Sequence, residues 1–189
     1  MDGTGTTTIS QLVADGLRGR DQRVCLTAEP TDGPLGRVLR SHLRRDLSLD
    51  PHSTALIFSG DRADHVTRTI RPALARGEWV VCDRYLLSTL AYQGAEGVSQ
   101  EAILAASSGF EKPDLTVVLD VPDEVREARM SDRAERERYE DESFAEKVRA
   151  SYETGIELLR KAGHTVEIVD ASAPPEWIAG GILGRLDTP

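Results

Sequence analysis

The chain has 189 residues and a mass of 20.7 kDa, enough for one domain with a real core. Lys and Arg number 23 against 32 Asp and Glu, a formal charge of -9, which excludes the broad basic face that a nucleic-acid duplex needs. With 39% hydrophobic and 29% charged residues and no long apolar run, the composition is that of a folded, soluble, cytoplasmic protein, not a disordered or membrane-spanning one.

The start of the chain is polar and rich in glycine and threonine, unlike a signal peptide. Residues 7–17 carry Ile9, Leu12, Val13 and Leu17 at helical spacing. Residues 23–29 read as a strand and 35–43 as a short basic helix. A long helix is expected over 53–75, with Ser53 as its N-cap. Strands follow at 79–83, 115–121 and 165–170, with helices at 101–108, 123–134, 143–162 and 174–186. Gly163 fits a helix C′ position, and Pro174 or Pro175 fits a first turn.

The strand runs are mostly continuous in apolar character, as in parallel strands covered on both faces. Strand and helix alternate throughout, which predicts a single α/β domain over residues 1–189, a parallel sheet with helices on both sides. Cys25 and Cys82 lie in apolar runs, without metal-ligand spacing or a neighbouring histidine, so two buried thiols in a reducing compartment are expected.

Two places carry chemistry. The opening MDGTGTTT leads into a helix, and a phosphate-binding loop needs such glycines so that backbone N–H groups converge on phosphate oxygens. Gly3, Gly5 and Thr7 fall where the second half of G-x-x-x-x-G-K-[ST] would place them, but Thr6 holds the lysine position. A strand is expected before such a loop, and none precedes it. The second place is Asp83-Arg84-Tyr85, directly after a strand, where ligands of open α/β sheets bind. There an Asp suits magnesium-bound water and an Arg suits a phosphate, the structural alternative being a plain ion pair.

Several ordered blocks resemble bacterial thymidylate kinases, a family of P-loop nucleoside monophosphate kinases. They are EPTDGPLG (29–36), FSGDRADH (58–65), CDRYLLSTLAYQGA (82–95), KPDLTVVLDVP (112–122), RERYEDESFAEKVRASY (136–152) and VDAS (169–172). The resemblance runs from about Asp2 to about Ser172. It implies the phosphorylation of dTMP to dTDP with ATP and Mg2+, a mobile lid over about residues 129–142, and a homodimer that binds neither nucleic acid nor membrane.

The resemblance also implies residue roles. Gly3, Thr4, Gly5, Thr6, Thr7 and Thr8 would wrap the ATP phosphates, with Thr7 and Asp83 beside the metal. Asp2, Glu29, Pro30, Phe58, Arg62, Arg84, Thr89, Tyr92 and Gln93 would hold dTMP. Among these, Phe58 would stack on thymine, Arg62 would donate to its carbonyl, and Tyr92 would crowd the sugar 2′ position. The bland alternative for Arg62 is a surface residue paired to Asp61 or Asp64. Arg37 or Arg40 would add charge at the monophosphate. Asp2, Asp83, Arg84, Arg133 and Arg136 would form the catalytic set, and Asp170, Ala171 and Ser172 the adenine loop.

Two departures from the family stand out. Thr6 replaces the loop lysine, so reduced activity is expected, or else a nucleotide-binding homologue with a regulatory role. The first strand, central in this fold, is absent from the chain as given, so unpaired strand edges and a slot in the core are expected.

Overall fold

The computed structural model describes residues 5–122 and 142–186. Helix α1 (Thr6–Arg18) begins at Gly5, whose φ of 86° lies in the left-handed region that glycine reaches without strain. Its residues Ile9, Val13, Ala14 and Leu17 form one buried stripe. Strand β1 (Val24–Ala28) follows, then α2 (Pro34–Leu43), with proline in its first turn.

Helix α3 (Pro51–His65) is capped by Asp50 and not by Ser53: the Asp50 side chain accepts from His52 N at 3.0 Å and Ser53 N at 3.1 Å. Pro51 pre-sets the helical φ at the first position, which fixes the start two residues earlier than the sequence suggested. The expected single helix over 53–75 is instead three pieces: α3, a π-helical turn at Val66–Ile70, and α4 (Arg71–Ala75). Pro72 has no N–H to return to the carbonyl one turn back, and the ladder widens just before it.

Strand β2 (Trp79–Asp83) leads into α5 (Leu86–Ala95), and α6 (Gln100–Ala106) is capped by Ser99. Sequence periodicity did not mark α5, because most of its side chains are buried and no polar stripe breaks the pattern. Strand β3 (Thr116–Asp120), helix α7 (Glu142–Lys161), strand β4 (Val166–Asp170) and helix α8 (Pro175–Leu186) complete the described chain. The expected helix at 123–134 and the lid at 129–142 lie almost wholly outside the described residues.

β1 and β2 pair in parallel, from Val24↔Trp79 to Ala28↔Asp83. β3 and β4 also pair in parallel, from Thr116↔Val166 to Asp120↔Asp170. Among the described residues β2 and β3 do not pair with each other. Between them lies a cavity of about 530 Å³. Helices cover both faces. α1 and α8 pack on one side through Ile9, Val13, Leu17, Ile178 and Ile182. α5, α6 and α7 pack on the other through Leu87, Leu90, Ile103, Ile156 and Leu159. The three-layer α/β expectation therefore holds.

Neither cysteine is fully buried: Cys25 and Cys82 are both half-buried, because their strands belong to a two-stranded ladder with little cover at its edges. Among the described residues no helix is long and apolar enough to cross a membrane.

Candidate active site

The N-terminus of α1 meets the C-terminal end of β2. Thr7 Oγ1 donates to Asp83 Oδ2 at 2.5 Å. Asp83 is buried, and its other oxygen, Oδ1, has no hydrogen-bond partner among the described residues. The first N–H groups of any helix lack intrahelical partners, and α1 has no acidic side chain in its first turn. Backbone donors and the positive helix end thus converge on one spot, a favourable seat for an anion.

Arg84 follows with φ 65°, a left-handed conformation uncommon for a non-glycine residue. It turns the chain from β2 into α5. Its guanidinium lies 5.8 Å from the centre of the Tyr92 ring. Burial pushes the Tyr85 phenol far up from its ordinary range, so it stays protonated and donates to Glu111 O at 3.0 Å.

A second cluster sits deeper. Arg62, only 1% exposed, donates through Nε at 3.0 Å and Nη2 at 2.7 Å to Oε2 of the buried Glu29. Nη2 also reaches Thr89 Oγ1 at 2.9 Å. His65 Nδ1 donates to Glu29 Oε1 at 3.0 Å, and its Nε2 lies 2.7 Å from Thr27 Oγ1. A carboxylate only accepts, so the hydrogen on Nδ1 fixes the imidazole orientation. Both Glu29 oxygens are thereby used, and Arg62 is locked with one nitrogen, Nη1, left without a partner among the described residues. The guanidinium also lies 4.8 Å from the Tyr85 ring centre. The surface ion pair with Asp61 or Asp64 does not occur.

Asp61 instead holds the loop after β1, accepting from Thr31 N at 2.7 Å and Thr31 Oγ1 at 2.5 Å. Arg40 Nη1 donates to Pro30 O at 2.7 Å and its Nη2 to Thr31 O. Gly36 permits this close approach: a Cβ there would lie 1.9 Å from Thr31 O. The Glu29–Pro30 peptide is cis.

Some of these groups line one pocket of about 350 Å³, and Asp61, His65 and Gly36 support it from behind. It brings together Gly5, Thr6, Thr7 and Thr8 with Glu29, Pro30, Phe58, Arg62, Asp83, Arg84, Thr89, Tyr92 and Gln93. Arg40 lines it too, whereas Arg37 does not and bonds Asp32 O at 2.8 Å. Asp170, Ala171 and Ser172 are not part of this lining. Ala171 is buried in the core under α1 and α8, and Asp170 Oδ1 accepts from Ser172 N at 2.9 Å. Asp2, Gly3, Thr4, Arg133 and Arg136 lie outside the described residues.

Sequence reasoning missed His65, Asp61 and Gly36 as parts of this site. One signal was present: His65 follows Arg62 by three residues, which puts both on one helix face.

The pocket pairs a phosphate-seeking end with an aromatic end that holds a spare buried donor. The family model described as Thymidylate kinase matches residues 1–180. The chain belongs to the thymidylate kinase family. It is 40% identical over 182 residues to a Pyrobaculum aerophilum protein named "Probable thymidylate kinase", covering 96% of this chain and 90% of that one. It is likewise 40% identical over 189 residues to the "Thymidylate kinase" of Thermomicrobium roseum, covering 96% and 88%. With the "Thymidylate kinase" of Leifsonia xyli subsp. xyli the identity is 40% over 200 residues, covering 98% and 90%. Thymidylate kinases have a P-loop NTPase fold, and the parallel strands with flanking helices agree with it.

Proposed function

We propose that the protein transfers the γ-phosphoryl group of ATP to dTMP, giving ADP and dTDP. The observation that carries this reading is the shared pocket: a partnerless Asp83 oxygen and a helix N-terminus at one end, and the buried, partnerless Nη1 of Arg62 at the other. A base carbonyl satisfies that nitrogen; the amino group of cytosine leaves it unpaired and buried, which is costly. Phe58 supplies a stacking face, and Tyr92 crowds the sugar. Arg84 and Arg40 take the monophosphate, a role suited to forked guanidinium donors. Asp2 accepts from the sugar 3′-hydroxyl, and Asp170 to Ser172 flank the adenine.

Mg2+ fits this site. Asp83 offers a buried carboxylate oxygen without a partner, and Thr7 offers a hydroxyl beside it, both hard oxygen donors. Among the described residues there is no group of three or more metal-type side chains. When bound, the ion neutralises charge on the phosphate oxygens. The residues position the two nucleotides in line, and no covalent intermediate on the enzyme is required.

Thr6 in place of the lysine lowers the rate, because losing one preorganised donor from a transition-state site costs about 10²–10³-fold. Arg133 and Arg136 compensate from the lid. An apolar strip on α3, with Leu56 exposed one turn from Gly60 and Leu35 packed over Gly60, suits a homodimer contact.

The deciding experiment is ADP release with dTMP, beside calorimetry with dTMP and ATP. Turnover supports the reading; tight binding without turnover refutes it and favours a regulatory homologue. Two variants test the charge compensation. Thr6→Lys is expected to gain rate and Arg133→Ala to lose it. No gain and no loss would remove that idea while leaving the substrate assignment intact.

A further inference from the structure

We propose that His65 is a positioning residue for base selection: through Glu29 it keeps the Arg62 guanidinium in the orientation that leaves Nη1 over. This role rests on the nucleotide reading, because the selectivity it governs is that of the Arg62 end of the pocket.

His65 is 3% exposed and does not line the pocket, so it acts through another group. That group is Glu29, whose two oxygens are divided between two partners. Oε2 takes both Arg62 bonds, from Nε at 3.0 Å and Nη2 at 2.7 Å. Among the described residues Oε1 accepts from His65 Nδ1 alone, at 3.0 Å.

This division decides what is left on Arg62. A carboxylate with both oxygens free frequently takes two guanidinium nitrogens in parallel bonds. An arginine offers two such forks, Nε with Nη2 and Nη1 with Nη2. The second would engage Nη1 and take it from the pocket. Committing Oε1 to His65 closes that second fork, since Oε2 alone is then given to Arg62. The other contacts of the guanidinium do not choose between the forks. Thr89 Oγ1 accepts from Nη2 at 2.9 Å, and Nη2 belongs to both. The Tyr85 ring, its centre 4.8 Å away, covers the guanidinium as a whole.

The imidazole is itself held at both ends. Its Nε2 lies 2.7 Å from Thr27 Oγ1, and with the hydrogen on Nδ1 it accepts from that hydroxyl. Thr27 lies on β1 and Glu29 directly follows that strand, so one ring on α3 spans both. Arg62 and His65 stand three residues apart on one face of α3, which lets both reach the same carboxylate.

A purely structural histidine would change stability and leave selectivity alone. Two replacements separate the roles: an Asn amide supplies an N–H in place of Nδ1–H, and Leu supplies no donor. The test is ADP release with dTMP and with dCMP, beside melting curves, on the full chain and both variants. His65→Leu is expected to lower the dTMP over dCMP ratio of kcat/KM by about 10-fold or more. His65→Asn is expected to recover most of that ratio while still melting below the unaltered protein. A ratio that survives in His65→Leu overturns the proposal alone. So does a ratio that falls equally in both variants, which is the mark of a structural role. Equal use of the two nucleotides by the unaltered protein overturns the nucleotide reading and this proposal with it. One measurement needs no stable Leu variant: histidine 15N NMR of the unaltered protein, with the His65 signal assigned by its loss in His65→Asn. A hydrogen on Nδ1 is expected; a bare Nδ1 cannot donate to Glu29 and overturns the proposal.

Discussion

The nucleotide pocket and the inter-strand cavity share a wall, since Thr6, Asp83, Arg84, Tyr85 and Ser88 line both, yet they are built in opposite ways. The pocket is organised by side chains from distant parts of the sequence. Glu29, Arg62, His65, Thr27 and Thr89 satisfy one another and leave one donor over. The cavity is lined mostly by apolar side chains of α1, α5, β2 and β3. The difference teaches where each depends on the rest of the molecule. The end around Arg62 rests on β1, α3 and α5, and α5 also borders the cavity through Leu86, Leu87 and Ser88. The phosphate end rests on α1 and β2, which border it.

Mutations at the two places should separate accordingly. Arg62→Leu strands Glu29 as a buried charge, and breaking a buried pair costs about 3–5 kcal/mol. Denaturant unfolding should show that loss, and a loss below about 1 kcal/mol would mean the network is not a unit. Asp83→Asn should lower kcat by roughly 10²-fold while the melting temperature barely moves. An unchanged kcat would take Asp83 out of the chemistry. Gly36→Ala drives a methyl into Thr31 O, and overpacking of that kind costs about 1–3 kcal/mol. The displaced loop should also raise KM for dTMP, and an unaltered KM would show that the loop is not part of the pocket.

The cavity wall should be more forgiving. Val117→Ala borders existing space, so little new void forms and the cost is about 1 kcal/mol. A cost above about 3 kcal/mol would mean that Val117 is packed on every side and does not border open space. The smallest effect concerns His164, also on that wall. Burial, then the charge of Lys112, holds its imidazole below the ordinary value of 6.5. The folded state thus prefers the neutral form. Its contribution is present above pH 6.5 and is lost as pH falls toward the depressed value. His164→Gln should flatten that slope by well under about 1 kcal/mol. A steeper slope in the variant would reverse the assignment.

Much of this was legible in sequence, for identifiable reasons. The four strands were marked by β-branched apolar runs, and their predicted limits fall within one residue of those observed. The pocket was legible through the ordered blocks around Glu29, Phe58, Arg62 and Asp83. Helix α5 was not, because a helix buried on most sides loses its polar stripe. The Asp50 cap was hidden by the serine three residues on. His65 was hidden because its partner, Glu29, is 36 positions away in sequence. The left-handed φ of Arg84 has no signal in residue type at all, since glycine or asparagine is the usual mark.

The central claim is that Arg62 reads the base through its spare nitrogen. The most direct measurement is the ratio of kcat/KM for dTMP over dCMP, from ADP release under matched conditions. A site that leaves a buried donor unpaired with the wrong base should prefer dTMP by at least about 10²-fold. Near-equal use of dCMP would contradict the account.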